Sequence, residues 1–356
     1  MGAVSGVHIT GGGAVTSLGL SAAQTLAGLR AGLVGFEKLP RPEAFPLDQI
    51  MARVPADWRL KPTPADWLAN LAARAIMEAV RGLDPERTAV LLAGPEPFRE
   101  HPAGSGASLA ETAQARALPA GASGWHRGSA ALPGGAAAVI ESVEMAVALL
   151  QAEDVDAVIL GGADSLLGES DLTRLSTAGR LLGDESPQGL VPGEGAAVLR
   201  LESTPAAGGE SRQRSRAVSG PRLRARIAGV GKGEEPRPVT GPDYSLGTGL
   251  GAALRGAAEG DGGEPGVGFI IHAGAFDRYD AMETLLAHPR FFRTRREELP
   301  ICQLATGLGD TGAAAGALAL LVAADSFGEG YAPPGNALCE AVSEAGGRAA
   351  AILTPA

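Results

Sequence analysis

Short apolar runs closed by glycine alternate along this chain with stretches whose apolar residues recur every three or four positions. The runs at 7–10, 88–92, 156–160 and 195–201 read as buried strands, the first entering Gly11-Gly12-Gly13 and the third ending at Gly161-Gly162. The helical spacing of Trp67, Leu68, Leu71, Ala75, Ile76 and Ala79 predicts a helix over 62–82. Val139, Ile140, Val143, Val147 and Leu150 predict one continuous helix over 136–151. Ser21 is placed to cap a helix carrying Leu26 and Leu29. Between 93 and 124 the chain is rich in Gly, Pro and Ala and reads as loops around one short helix near 109–118. Beyond a polar stretch at 203–222, the alternation resumes. Strands are expected at 223–230, 267–272, 301–304 and 349–353, and helices near 245–258, 278–286 and 313–327. Strand-helix alternation in both halves predicts a layered α/β fold. The similar content of the halves points to a duplication, with units at 1–205 and 223–356 and a linker or surface loop at 206–222.

Composition narrows the function. The 356 residues carry a net charge of −10, which opposes general binding to nucleic acid. Aromatics make up only 4%, whereas there are 52 glycines, a mix suited to closely packed helices and tight turns. The two cysteines, Cys302 and Cys339, form no CxxC pair, so neither a disulfide framework nor a metal site is expected. No apolar run is read as reaching the roughly 18–20 residues of a membrane span. The N-terminal residues lack the pattern of a secretory signal, and a cytoplasmic location is the expectation.

Two local signals read as structural. Gly307-Leu308-Gly309-Asp310-Thr311-Gly312 has the spacing of a dinucleotide fingerprint, but it lies late in the chain with no acidic residue ending a following strand. It is expected to be a tight turn before a packed helix. Arg212, Arg214, Arg216, Arg222, Arg224 and Arg226 form a basic stretch on an acidic chain. It reads as a solvated loop, or as a docking spot for an acidic partner.

Several segments, in order, resemble β-ketoacyl synthases of the thiolase fold. They are 7–19 (VHITGGGAVTSLG), 156–165 (DAVILGGADS), 179–202 ending in PGEGAAVLRLE, 271–286, 306–318, and Gly346-Gly347 with the strand after them. The PGEGAA stretch is the most specific. The resemblance implies a thiolase-like fold of two duplicated halves in α-β-α-β-α layers. It also implies a chemistry in which a cysteine thiolate at a helix N-terminus takes the acyl chain and two histidines, helped by a lysine, support decarboxylation.

Most of that machinery is missing. The nucleophile position falls on Ala136, within Pro133-Gly134-Gly135-Ala136-Ala137-Ala138, which holds no thiol, hydroxyl or amine. The first histidine is kept as His272, but the threonines after it are Gly274 and Phe276. The second histidine position falls on Asp310 and the lysine position on Ala305. An aspartate would repel a developing carbanion. Cys302 is expected on the strand before the GLGDTG turn and Cys339 in a C-terminal loop, so neither replaces the nucleophile. This pattern resembles the chain-length factors of type II polyketide synthases, non-condensing subunits that pair with an active ketosynthase and shape its acyl tunnel. The family's usual replacement for the cysteine is glutamine, whereas this chain has alanine or glycine. The resemblance implies no cofactor, a ketosynthase partner as heterodimer, and an acyl carrier protein docking mainly on that partner. Leu109, Thr112, Leu118, Ser129 and Ile140 are expected at the tunnel or interface, and the many small residues would suit a narrow tunnel for a linear chain. Two other readings stay open: a cysteine-independent decarboxylase or acyltransferase using His272, and a homodimeric acyl-binding protein.

Overall fold

The computed structural model describes residues 6–39, 49–55, 64–100, 106–203, 222–261 and 263–356. The first half runs β1 (Val7–Val15), α1 (Ala22–Arg30), β2 (Glu37–Leu39), β3 (Gln49–Met51), α2 (Pro64–Ala79), β4 (Thr88–Ala93), α3 (Gly106–Ala117), β5 (Ala130–Ala131), α4 (Ala138–Glu141), α5 (Val143–Leu150), β6 (Ala157–Ser165), α6 (Glu169–Thr177) and β7 (Glu194–Ser203). The second runs β8 (Ala225–Glu234), α7 (Thr248–Ala258), α8 (Gly263–Gly266), β9 (Val267–Ala273), α9 (Arg278–Phe291), β10 (Ile301–Gln303), α10 (Ala305–Leu308), α11 (Ala315–Glu329), β11 (Asn336–Val342) and β12 (Gly347–Pro355).

The duplication is visible in the pairing. Strands β1-β7-β6-β4-β5 are joined by two antiparallel and then two parallel pairings. Strands β8-β12-β11-β9-β10 repeat that pattern pair for pair. The two sets meet where β1 pairs with β8, at His8↔Arg226 and Ile9↔Ala225.

Strand alternation sorts the core into layers. Val90 and Leu92 of β4 face outward onto α2 and α3, while Ala89 and Leu91 face inward. The inward faces of both sets of strands enclose α4, α5 and α11. On the far side, Ala228, Ala350 and Ile352 pack under α7 and α9. The result is the expected five-layered α-β-α-β-α arrangement. Glycine lets the outer helices come close: a Cβ on Gly13 would lie 2.0 Å from the Ala75 carbonyl oxygen of α2, and one on Gly231 would lie 1.9 Å from that of Ala253 in α7.

The structure corrects several expectations. Cys339 is not in a loop; it is fully buried on β11, a strand the sequence pattern did not reveal. The helix expected over 136–151 breaks at Ser142 into α4 and α5. Helix α6 was not anticipated. One segment among the described residues, Gly312–Glu329, does reach membrane-spanning length and apolarity, and 78% of it is buried as the central helix of the core. The 206–222 linker, and Arg212, Arg214 and Arg216 with it, falls outside the described residues except for Arg222 at its end. Downstream, Arg226 pairs with Asp261 at 3.0 Å.

Candidate functional site

The PGEGAA motif explains how the two halves are tied around the site. Gly193 donates its amide to the Asp310 carbonyl at 2.9 Å, and Asp310 donates its own to the Val191 carbonyl at 2.8 Å. A Cβ on Gly193 would lie 2.7 Å from the Leu308 carbonyl oxygen, so only glycine admits that approach. Glu194, almost fully buried, accepts from the Val54 amide at 3.1 Å and the Trp67 indole at 2.9 Å. The motif is therefore structural. The GLGDTG segment is the tight turn expected, with Gly309 and Gly312 at positive φ.

Ala136 is buried just before α4. Its surroundings come from four segments. Gly135, at φ 103, would carry a Cβ 2.5 Å from Ser343 Oγ and 2.7 Å from Glu96 Oε1. Ser343 Oγ accepts the Ala137 amide at 2.9 Å, occupying a donor at the start of α4. A Cβ on Gly316 would lie 2.6 Å from the Ala136 carbonyl oxygen, so α11 presses directly on this position.

Glu96, packed against Gly135, joins a network of charges that the sequence pattern did not assemble. Arg99, nearly fully buried, reaches Asp164 at 2.8 Å and Asp171 at 2.8 Å. Arg174 bonds Asp171 at 3.2 Å and Glu344 at 3.0 Å. Arg180 bonds Asp277 at 2.7 Å and also Glu344. Glu96 accepts from the Glu344 amide at 2.6 Å and the Ala345 amide at 3.5 Å. Burial, then the Glu344 carboxylate, pushes the Glu96 carboxyl up to about 7. Asp310, half-buried, accepts the Gly312 amide at 2.9 Å. Burial first, and then Glu344, raises its carboxyl to about 6. Ala305, where the family resemblance implies a lysine, is buried and contributes no charge.

His272 is boxed in. It is fully buried on β9, with Nε2 2.8 Å from Asp280 Oδ2 and Nδ1 2.6 Å from Glu340 Oε1. Burial lowers its pKa, but the Asp280 and Glu340 carboxylates outweigh this and leave it well above the usual histidine value. Glu340 also accepts from His288 at 3.0 Å. Burial would raise the Glu340 carboxyl, yet the two histidines hold it down to about 2. The replaced threonine makes this possible: a Cβ on Gly274 would lie 2.2 Å from His272 Nε2 and 2.4 Å from Asp280 Oδ1. Phe276, at φ 59, donates its amide to Asp280 at 3.0 Å. Both ring nitrogens of His272 face carboxylates, which leaves no ring nitrogen free to meet a substrate.

The other expected residues do not converge. Leu109 is buried in the outer layer with α2, and Ile140 is buried in the central layer. Ser129 Oγ accepts the Val90 amide at 2.9 Å beside β5. Thr112 and Leu118 are half-buried. Cys302 is exposed on the edge strand β10, and Cys339 Sγ donates to the Ala319 carbonyl at 3.5 Å. Among the described residues no group of three or more His, Cys, Asp or Glu is placed to hold a metal ion.

No protein-family model and no curated protein matches the sequence. Solved structures do match. The ishigamide ketosynthase/chain length factor aligns at a TM-score of 0.76 with 20% identity, over 98% of this chain and 99% of that one. The chain has the ketosynthase fold. A type II polyketide synthase ketosynthase, solved with its acyl carrier protein and bound to a hexaketide, aligns at 0.77 with 16% identity over 99% of both chains. A ketosynthase in complex with its chain length factor from Xenorhabdus doucetiae aligns at 0.65 with 18% identity, over 99% and 98%.

Proposed function

We propose that the chain is a non-condensing, chain-length-factor subunit that pairs with an active ketosynthase and shapes the acyl tunnel during elongation on an acyl carrier protein. The observation that carries this reading is Ala136. The former nucleophile position holds no reactive group, and both cysteines lie elsewhere, one buried on β11 and one exposed on β10. A thiolate is what would accept the acyl chain, so condensation would have to take place on a partner. The alternative enzyme built on His272 is disfavoured by the two carboxylates that occupy its ring nitrogens. The names of the aligned structures, a ketosynthase/chain length factor and a ketosynthase with its carrier protein, supply the partner classes for this reading. In it the chain works in the cytoplasm, needs no cofactor, and Leu109, Thr112, Leu118, Ser129 and Ile140 stand near the tunnel or interface.

Co-expression with a candidate ketosynthase, followed by size exclusion and intact mass of carrier-bound products, tests it. A one-to-one complex that yields long carrier-bound chains only when this chain is present is the expected result. Acyl turnover by this chain alone, lost in His272→Ala, would overturn it.

A further inference from the structure

Helix α9 is apolar on two sides. Its inner side, through Ala287 and Phe291, packs with Leu250, Leu254 and Ile270 in the core of the second half. Its acids also turn inward: Asp280 pairs with His272 at 2.8 Å and Glu283 with Arg348 at 2.9 Å. That leaves Met282 and Leu285 in solvent, the latter 66% exposed, together with Ala281 and Pro289. The loop before α7 widens this surface. A Cβ on Gly247 would lie 3.0 Å from Leu286 Cβ, so the loop runs against the helix. Tyr244 lies under the Arg278 guanidinium at 5.6 Å, and the Leu246 carbonyl accepts from Arg290 at 2.8 Å. Both of these loop side chains are exposed. A helix with apolar residues on opposite sides is stable in water only when both are covered, and a contiguous exposed apolar patch marks a surface that meets a partner.

Charge separates the kinds of partner. The exposed positions of α9 hold no carboxylate, and its two ends carry Arg278 and Arg290, neither with a carboxylate partner among the described residues. On the adjoining loop Asp243 is exposed, while Glu235 is buried beneath it and accepts the Leu246 and Gly249 amides. The helix face is thus apolar with basic ends, on a chain whose net charge is −10. A second copy laid on the same face would bring Arg278 and Arg290 against their own counterparts. An anionic lipid surface would meet the repulsion of the whole chain. A helix with apolar residues on one side and acids flanking them meets neither obstacle. We propose that the outer side of α9, with Tyr244 and Leu246, is a docking surface for an acidic amphipathic helix of a partner protein. The 14 residues of α9 span about 21 Å, so a partner helix of about four turns covers them. Its apolar residues would rest on Met282 and Leu285, and its acids would reach Arg278 and Arg290.

The test is fluorescence anisotropy of the full-length chain with a labelled peptide as long as α9, leucines on one side and glutamates on the other. Saturable binding that weakens with added salt is expected. Leu285→Asp should weaken it by about tenfold or more, the loss typical of a central apolar contact. Arg290→Glu should weaken it too, and the same peptide with lysines for glutamates should not bind. If Leu285→Asp does not fold, Met282→Asp is read in the same way. No saturable binding of the acidic peptide, equal binding of the lysine peptide, or binding unchanged in the Leu285 and Met282 variants would overturn the proposal. So would a dimer of the chain that Leu285→Asp dissociates in size exclusion, which gives the face to a second copy. Binding to vesicles of phosphatidylcholine and phosphatidylserine that is lost in Leu285→Asp would overturn it as well, giving the face to lipid. The peptide is read on this chain alone, so failure here leaves the ketosynthase pairing untouched, and failure to find a ketosynthase partner leaves this surface untouched.

Discussion

His272 carries a carboxylate on each ring nitrogen, and that decides what its loss would do. Removing the imidazole leaves a void in the core, with the Asp280 carboxylate held only by the Phe276 amide and Glu340 only by His288 among the described residues. His272→Ala should therefore cost about 3–5 kcal/mol of folding stability, measured by denaturant unfolding at pH 7. The sign with pH follows from the raised histidine pKa. The contribution is complete below the ordinary value of 6.5 and is lost as pH rises through the higher folded-state value, so the cost of the substitution should shrink at alkaline pH. The sequence displayed His272 but hid its function as a structural cation. Asp280 lies one helical segment away, and Glu340 lies on a neighbouring strand. Gly274 was the available signal: a missing side chain beside a kept histidine is room for something else to reach it.

Among the elements, strands and helices with strong apolar periodicity were legible, and those with mixed chemistry were not. Strand β11 reads Asn-Ala-Leu-Cys-Glu-Ala-Val, and its buried Glu340 conceals it until the histidines that neutralise it are in view. The break at Ser142 is silent because AVIESVEMAVALL keeps helical spacing through it. The ion network escaped entirely, since Arg99, Asp164, Arg180 and Glu344 come from segments distant in sequence. The glycine contacts were foreshadowed by composition, but their partners were not. They give a paired test: Gly13→Ala would drive a methyl into the backbone of α2, and Gly231→Ala into that of α7. Each should lower stability by about 1–3 kcal/mol or more, read as a fall in melting temperature, and the similarity of the two losses would express the equivalence of the halves.

At the scale of the whole molecule, the helix after Ala136 buries Val143, Ala146, Val147 and Leu150 inside the chain and turns Met145 outward, 43% exposed. In the ketosynthase-pairing reading this outer side is near the partner. Met145→Glu should weaken the one-to-one complex in size exclusion and leave the melting temperature of the isolated chain unchanged, because no core contact is lost.

In the proposed non-condensing reading, the press of α11 on Ala136 and of the 343–347 turn on its neighbours Gly135 and Ala137 sets the distance to a condensing enzyme. In that reading, a single substitution placing a thiol there would set it next to Gly135, against which Glu96 packs, and an ionised carboxylate nearby disfavours a thiolate. It would find no lysine at position 305, an acid at position 310 and a histidine already committed to the core. Each repair alone would disturb a buried charge balance without restoring turnover. Reversion, in the proposed reading, would therefore need several simultaneous changes, and the packing that steadies the molecule would make that step one-way.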